Sequence, residues 1–218
     1  MGRRHPKEDG HEGAPPEKRA DAAPEMSEAA AARRDVIVLA ATAVFLRYGF
    51  KKTSMDDLAR AAGISRQGLY LHFDTKEALF KAAILRMVDD LRAAWQAALT
   101  RPGASTEERI VGGFEALHGI AVGDVHASGN MNELLEAAKA LVGPAVGELE
   151  RELVVAVARL LTSAGVAAGW AEAGLSAKEL AENLWAASSG FKHSAASLAA
   201  YRKSMRTAAR IIARGART

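Results

Sequence analysis

The sequence predicts an all-α protein of about nine helices, and three observations support that fold class. From about residue 31 onward the chain is rich in Ala, Leu, Glu, Arg and Met, which favour helices. Apolar residues recur there at three- and four-residue spacing, whereas no segment shows the alternation typical of a half-buried strand. Helix-capping residues and glycines separate the segments at helical lengths.

Residues 1–30 are predicted to be a disordered tail. This segment holds four of the six prolines, many mixed charges and almost no large apolar residues. Such a composition cannot bury enough apolar surface to offset the entropy lost on ordering.

Composition excludes several classes of protein. The 218 residues are 49% apolar and 25% charged, with a net charge of +3 and no cysteine. Disulfides and thiolate chemistry are therefore excluded, and a cytoplasmic location is expected. No apolar run is long enough to cross a membrane, and no secretory signal begins the chain. Since no two of the six histidines lie three or four residues apart, we expect neither a metal site nor a cofactor.

The first three helices are predicted from their caps and glycines. The first carries one apolar face and ends at Gly49, and a second, short helix follows from Met55 to Ala62 with Thr53 or Ser54 as its cap. Gly63 closes the second helix. The apolar face of the first helix consists of Ile37, Ala41, Val44, Phe45 and Tyr48, and Ser65 caps the third helix.

The stretch GISRQGLYLHF, residues 63–73, is too polar for a core helix. At about 100° per residue, Leu69 and Phe73 share one narrow apolar strip that can pack against Leu58, Ala59 and Phe45. Two short helices joined by a glycine turn, after a longer helix, form a helix-turn-helix motif over residues 54–73. The opposite face of the third helix is centred on Gln67, Gly68 and Leu71, with Arg66, Tyr70 and His72 at its edges.

This polar face is slim enough for the major groove of DNA. Arg66 can pair with guanine, Gln67 can bridge an adenine edge, and Leu71 can cover a thymine methyl group. Gly68 lets the backbone approach a base edge closely. The sequence therefore indicates a DNA-binding function.

The stretch KKTSMDDLARAAGISRQGLYLHFDTKEALF also resembles the TetR family of bacterial transcriptional regulators, over roughly residues 33–80. Matching positions include Ala62-Gly63-Ile64-Ser65, Leu69-Tyr70, His72-Phe73 and the run Lys76 to Phe80. The resemblance implies a TetR-like fold with a DNA-binding domain, residues 31–91, and an effector-binding and dimerisation domain, residues 92–218. It places Arg66, Gln67, Gly68 and Leu71 at base-reading positions, and Thr53, Ser54, Tyr70, His72 and Lys76 at phosphate-contacting positions.

Three of these residues have a structural alternative. Tyr70 can be half-buried core, His72 can be an ordinary surface histidine, and Lys76 can pair with a nearby acid.

Six more helices are expected after the third. A long fourth helix, capped by Asp74 or Thr75, stops at Pro102 and Gly103. The fifth helix is expected from about Ser105 to Val122, followed by a loop at residues 123–130. The sixth is expected from about Met131 to Leu141, and the seventh from Pro144 onward. The eighth, capped by Ser176, reaches His193, and the ninth runs from about Ala196 to Ala213.

The last two helices are interpreted as a dimer interface. Each carries one apolar stripe, and two such helices per subunit can form a four-helix interface between two copies. A monomer that buries the same stripes internally is the competing explanation. The stripes comprise Leu180, Leu184, Ala187 and Phe191 on the eighth helix, and Leu198, Tyr201, Met205, Ala208 and Ile212 on the ninth.

The basic C-terminus has three interpretations. No acidic residue follows Glu182, although seven basic residues do. These residues can attract phosphates, pair with an acidic neighbouring face, or simply be solvated.

Large side chains scattered through the second half can line an effector pocket for a small apolar or amphipathic molecule, although ordinary core is the alternative for each. The candidates are Trp95, Phe114, His118, Met131, Leu135, Trp170 and Trp185. The resulting hypothesis is a homodimeric repressor that binds a palindromic double-stranded operator and is released by a small molecule. A regulator controlled by a protein partner, or without an effector, is the alternative. Neither a nucleophile–base pair nor a phosphate loop supports an enzyme.

Overall fold

The computed structural model describes residues 1–2, 28–122 and 131–215. Within these residues the fold is all-helical, which confirms the predicted class. The helices are α1 (Glu28–Tyr48), α2 (Met55–Ala61), α3 (Arg66–Tyr70), α4 (Lys76–Thr100), α5 (Thr106–Val122), α6 (Met131–Ser163), a 3₁₀ segment (Ala167–Ala173), α7 (Ala177–Ser194) and α8 (Leu198–Gly215).

No single helix in the described ranges is both long and apolar enough to span a membrane. One bent pair, Glu136–Ser163 with Ala167–Ala173 at an angle of 92°, reaches the required length and apolarity together.

The start of α1 differs from the prediction. Glu28 to Ala30, assigned to the tail, already belong to α1, because a run of alanines extends the helix toward the N-terminus. The predicted disorder of residues 3–27 lies outside the described residues. At the other end α1 stops as predicted, since Gly49 adopts a φ of 82° that favours glycine.

The predicted sixth and seventh helices are two arms of one element, α6. Val142 leaves helical geometry with φ −139° and ψ 21°, two residues before Pro144. Proline has no amide hydrogen and its ring crowds the preceding turn, which explains a break at this point. The predicted loop at residues 123–130 lies outside the described residues.

The sequence did not indicate the 3₁₀ segment, Ala167–Ala173. Its residues are mostly Ala and Gly without an apolar period, and Gly174 ends it with a φ of 73°. Trp170 anchors it, because the indole Nε1 donates a hydrogen bond of 2.8 Å to the carbonyl of Ile212 in α8.

One continuous core joins the two halves of the protein. α1 packs on α2 and α4, α4 packs on α5 and α6, and α5 packs on α7 and α8. At the junction, the Phe80 ring meets Phe45 edge-on at 4.9 Å and Phe50 at 4.8 Å between ring centroids. The expected domain boundary at residues 91 and 92 falls inside α4, so this helix is shared by both halves.

The predicted dimer stripe is wrong for four of its residues. Each of them is buried within the single subunit and belongs to its core. Four others are partly buried against that core, so only Ala187 remains outside it. A helical apolar period marks a buried face without showing whether the same subunit or a partner covers it. The buried residues are Leu180, Leu184, Tyr201 and Met205, and the partly buried ones are Phe191, Leu198, Ala208 and Ile212.

The basic residues of α8 pair with acids on α5. Arg202 forms a two-pronged ion pair with Glu115. Arg210 contacts Glu107 at 2.9 Å, and Arg206 lies 3.8 Å from the same carboxylate. The hydrogen bond from Arg210 lowers the pKa of Glu107 below its ordinary value. An acidic neighbouring face is therefore the correct interpretation for these three arginines.

A buried chain of hydrogen bonds connects α5, α7 and α8. The Tyr201 hydroxyl donates to the Phe114 carbonyl at 3.2 Å, and it lies 2.6 Å from Ser188 Oγ. Ser188 Oγ lies 2.7 Å from His118 Nδ1. Since the carbonyl only accepts, the chain runs in one direction from His118 Nδ1–H through Ser188 and Tyr201. Burial lowers the pKa of His118 to about 4, so its ring is neutral at pH 7.

We expect Tyr201→Phe to lower the free energy of unfolding by about 1–3 kcal/mol, because it removes the buried hydrogen bond to the Phe114 carbonyl and leaves the Ser188 hydroxyl without its Tyr201 acceptor. Urea denaturation measures this change. Tyr48→Phe is the control, since Tyr48 is 49% exposed. Equal stability of the two variants would contradict the role assigned to the chain.

Candidate nucleic-acid interface

The helix-turn-helix begins with a capping box at α2. The Ser54 hydroxyl accepts from the Asp57 amide at 3.2 Å, while the Asp57 carboxylate accepts from the Ser54 amide at 3.0 Å. The Ser54 hydroxyl also donates to the Asp57 carboxylate at 2.5 Å, and this bond, followed by the bond from the Ser54 amide, lowers the pKa of Asp57. The sequence S-M-D-D thus fixes where α2 starts.

The turn between α2 and α3 depends on Gly63 and Ser65. Gly63 has a φ of 67°, which L-residues with a side chain rarely adopt. Ser65 then caps α3, its hydroxyl accepting from the Gly68 amide at 3.0 Å. The predicted cap and turn are both confirmed.

The short helix α3 separates its two faces as predicted. Leu69 and Phe73 are 0% and 2% exposed and belong to the core that contains Leu58 and Phe45. The opposite face is open to solvent, and Leu71 is 83% exposed. An apolar side chain so fully presented gains nothing from folding. The exposed side chains of this face are Arg66, Gln67, Tyr70 and Leu71.

Arg66 is exposed and contacts two neighbouring side chains. Its Nη1 lies 3.1 Å from the Asp56 carboxylate, and its Nη2 lies 3.4 Å from the Tyr70 hydroxyl. The hydrogen bond with Tyr70, followed by the charge of Asp56, raises the pKa of Arg66 further. The guanidinium therefore remains charged and accessible, and an exposed ion pair of this kind is weak enough to exchange for another acceptor.

Gly68 leaves the centre of this face without a side chain. A Cβ there would lie 3.2 Å from the Ser65 hydroxyl that caps the helix. Glycine thus protects the cap and also lets an external surface approach the backbone closely.

Two of the predicted phosphate contacts are engaged inside the protein. Thr53 is 3% exposed, and its hydroxyl donates to the Gly49 carbonyl at 2.7 Å. The Lys76 ammonium donates to the carbonyls of Phe50 and Thr53, both at 3.0 Å, and lies over the Phe50 ring. The prediction is therefore wrong for the Thr53 side chain. Lys76 ties α4 to the turn before α2, which differs from both sequence interpretations of this residue.

The other three predicted contacts remain near the surface, and Tyr70 is exposed beside Arg66. Ser54 is exposed, although its hydroxyl already serves the cap. His72 is half-buried, and its carbonyl accepts from Arg34 Nη1 at 2.5 Å.

Arg34 is a positioning residue that the sequence did not reveal. Its guanidinium lies 3.8 Å from the centroid of the Phe73 ring and also binds the His72 carbonyl. It thereby fastens the end of α3 to α1. No local signal identifies it, because α1 and α3 are joined only by tertiary packing.

We expect Ser65→Ala to cost about 1 kcal/mol of stability, because the first turn of α3 loses its cap. Thermal unfolding monitored by circular dichroism measures this cost. Ser65→Asn is the control, since asparagine caps about as well as serine. If the two variants unfold at the same temperature, the cap contributes nothing.

The predicted effector residues do not gather in one cavity. Trp95 lines a groove between α4 and α6, whereas Trp170 packs on α8. Phe114 is core, and the His118 ring lies 5.1 Å from that of Trp185 beside the buried hydrogen-bond chain. The side chains of the remaining two candidates, Met131 and Leu135, lie outside the described part of the chain.

Residues 37–83 match the model of the bacterial regulatory proteins of the tetR family. The chain is 36% identical over 84 residues to the transcriptional activator FasR of Mycolicibacterium smegmatis, covering 38% of each protein. It is 33% identical over 84 residues to the transcriptional repressor ComR of Escherichia coli, covering 38% of this chain and 40% of ComR. The matched region thus spans about two fifths of these relatives.

The fold extends the similarity beyond that region. The crystal structure of a TetR-like transcriptional regulator from Rhodococcus sp. RHA1 superposes with a TM-score of 0.56 at 25% identity, covering 86% of this chain and 97% of that one. The matched helix-turn-helix and the shared fold point the same way. Residues 37–83 match the tetR family of bacterial regulatory proteins, and the fold over 86% of the chain is similar to that of a TetR-like transcriptional regulator.

Proposed function

We propose that this protein is a homodimeric repressor that binds a palindromic operator through α3 and is released by a small molecule. The single observation that carries this proposal is the solvent-facing side of α3. It presents a charged, an amide, an aromatic and an aliphatic side chain on a helix whose other side is anchored in the core. The protein would act in the cytoplasm, where bacterial DNA lies.

The chemistry of this face suits base edges. A guanidinium such as that of Arg66 can bind guanine through two hydrogen bonds, and the Gln67 amide can bind adenine in the same way. The methyl groups of Leu71 suit a thymine methyl. Tyr70 and His72 stand at the edges, where phosphates flank the groove. The fixed start of α3 at Ser65 holds these groups in register.

Dimerisation follows from the size of the site. One five-residue helix makes few base contacts, so two half-sites one helical turn apart multiply specificity. Because the apolar stripes of α7 and α8 are used internally, we place the interface on their outward faces. Small or polar side chains there, including Ala186 and Gly190 on α7 and Thr207 on α8, allow close helix approach. Ile211, 62% exposed, adds apolar area to the same side of α8.

Release from DNA by a ligand requires a structural connection between the helix-turn-helix and the larger helical half that would bind the ligand. α4 provides it, because Lys76 at its first turn holds the turn before α2 while its other end packs on α5 and α6. A ligand that binds one position of α4 more tightly would shift the orientation of α3.

Fluorescence anisotropy with labelled duplexes tests the proposal. The DNA immediately upstream of the gene is compared with a shuffled duplex of equal composition, at several salt concentrations. We expect at least about a thousandfold preference for the upstream sequence, typical of specific DNA binding. Equal affinity for the two duplexes at every salt concentration would overturn the proposal.

A further inference from the structure

We infer that the groove between α4 and the second arm of α6 binds an amphipathic organic anion. The groove has a volume of about 1110 Å³, enough for a small organic molecule. Arg92 and Gln96 of α4 line it together with Glu152 and Val155 of α6. Only the role of that anion as an effector depends on the proposed function.

The groove has apolar walls suited to an apolar ligand body. Trp95 and Leu99 contribute from α4, and Val155, Ala156 and Leu160 contribute from α6. Val155 is 48% exposed, which is unusual for a β-branched apolar side chain in the middle of a packed helix pair. A ligand that covers it would remove this surface from water.

The charges around the groove favour an anion. Four arginines and two glutamates line it. Arg92 pairs with Glu152 at 2.6 Å, and Arg151 pairs with Glu148 at 2.5 Å, so both carboxylates are compensated. The remaining arginines, Arg109 and Arg159, form no ion pair with any described carboxylate.

Arg109 is already oriented by the chain. Its Nε donates to the Arg101 carbonyl at 3.1 Å, which leaves the terminal nitrogens of the guanidinium for another acceptor. A carboxylate at this position gains charge-assisted hydrogen bonds. The two uncompensated guanidiniums and the apolar wall thus define a ligand with one anionic end and an apolar body.

Trp95 supplies a second, independent observation. Its side chain is 4% exposed, and Nε1 has no hydrogen-bond acceptor among the described residues. A buried donor without an acceptor is costly, and few native groups remain so. An oxygen of the ligand can accept from this N–H once the wall formed by α4 and α6 parts. Binding would therefore displace α4, the helix whose first turn holds the helix-turn-helix.

Calorimetric titration of the full-length protein with octanoate tests the inference, with octylammonium as the charge-reversed probe. We expect saturable binding of octanoate and at least about tenfold weaker binding of octylammonium. Arg109→Gln combined with Arg159→Gln should weaken octanoate binding by about tenfold or more. The matched control Lys139→Gln, which removes an exposed charge from the first arm of α6, should change it less than about twofold.

Trp95→Phe removes the indole N–H and keeps an aromatic ring in the wall. It should weaken octanoate binding by about fivefold or more, because the ligand loses a buried donor. Trp170→Phe is its control, since Trp170 already donates to the Ile212 carbonyl.

Three results would overturn the inference: no saturable octanoate binding, equal affinity for the two probes, or equal effects of the double arginine variant and Lys139→Gln. None of these three results involves DNA. A protein that prefers its upstream duplex but ignores octanoate would refute the groove and leave the regulator intact. Selective octanoate binding without any preference for upstream DNA would support the ligand site in the groove and refute the proposed regulator.

Discussion

Replacing Arg66 and Gln67 together with alanine is expected to reduce affinity for the operator by about a hundredfold or more. Each side chain can make a two-pronged base contact worth about 1–3 kcal/mol, and a dimer makes each contact twice. Because both side chains are exposed, the fold should be unchanged. Anisotropy titrations against the upstream and shuffled duplexes measure the loss separately for specific and non-specific binding.

The pattern of loss matters as much as its size. The double variant should lose its preference for the upstream duplex while keeping most of its weak, salt-dependent binding to the shuffled one. Arg86→Ala is the control, since Arg86 is an exposed arginine of α4 paired with Asp90. If the control loses as much as the double variant, the base-reading role of α3 is refuted.

Gly190→Arg is expected to convert the protein to a monomer. A side chain at this position meets nothing within 4 Å in the subunit, so the folded monomer can accommodate arginine. In the proposed four-helix interface the same side chain would sit between close-packed helices and bury an unpaired charge. We expect the dimer dissociation constant to rise by about a thousandfold, on the basis of a cost of several kcal/mol. Sedimentation velocity measures it.

Affinity for a palindromic duplex should fall with dimerisation, whereas the midpoint of thermal unfolding at low protein concentration should stay close to that of wild type. Gly174→Arg is unsuitable as a control because Gly174 has a φ of 73°. Lys178→Ala, an exposed change near the start of the same helix, serves instead. A dimer that persists in Gly190→Arg at wild-type affinity would contradict the proposed interface.

Local features explain why the helix-turn-helix was predictable. Ser54, Gly63 and Ser65 each act within a few residues of their own position, through a cap or a positive φ. The inward strip of Leu69 and Phe73 also follows from helical spacing alone. Arg66 and Leu71 are exposed because they lie on the sides of α3 that do not face the core.

The predictions that were wrong share one physical cause. Each concerns a residue that is covered or hydrogen-bonded by residues which the local sequence pattern does not identify. Thr53 and Lys76 look like surface donors until the carbonyls of Gly49 and Phe50 are placed beside them. Leu184 and Met205 look like interface residues until the packing of α5 against α7 and α8 is known. Arg34 contacts a residue 38 positions away, and no spacing rule reaches that far.

The same limit applies to the ligand site. In the sequence Trp95 is one large aromatic residue among several, and its distinguishing feature, an indole N–H without an acceptor among the described residues, appears only in three dimensions. The sequence does not single out Arg109 and Arg159, because an arginine without an ion pair differs from a paired one only by the position of distant carboxylates.

Hydroxyl-radical footprinting of the upstream duplex, with wild type and the Arg66/Gln67 double variant, tests the central claim most directly. Two copies of α3 in successive major grooves predict two protected segments related by a two-fold axis, with centres about 10 base pairs apart. The double variant should lose both together. A single protected segment, or protection that survives unchanged in the double variant, would contradict recognition by paired copies of this helix.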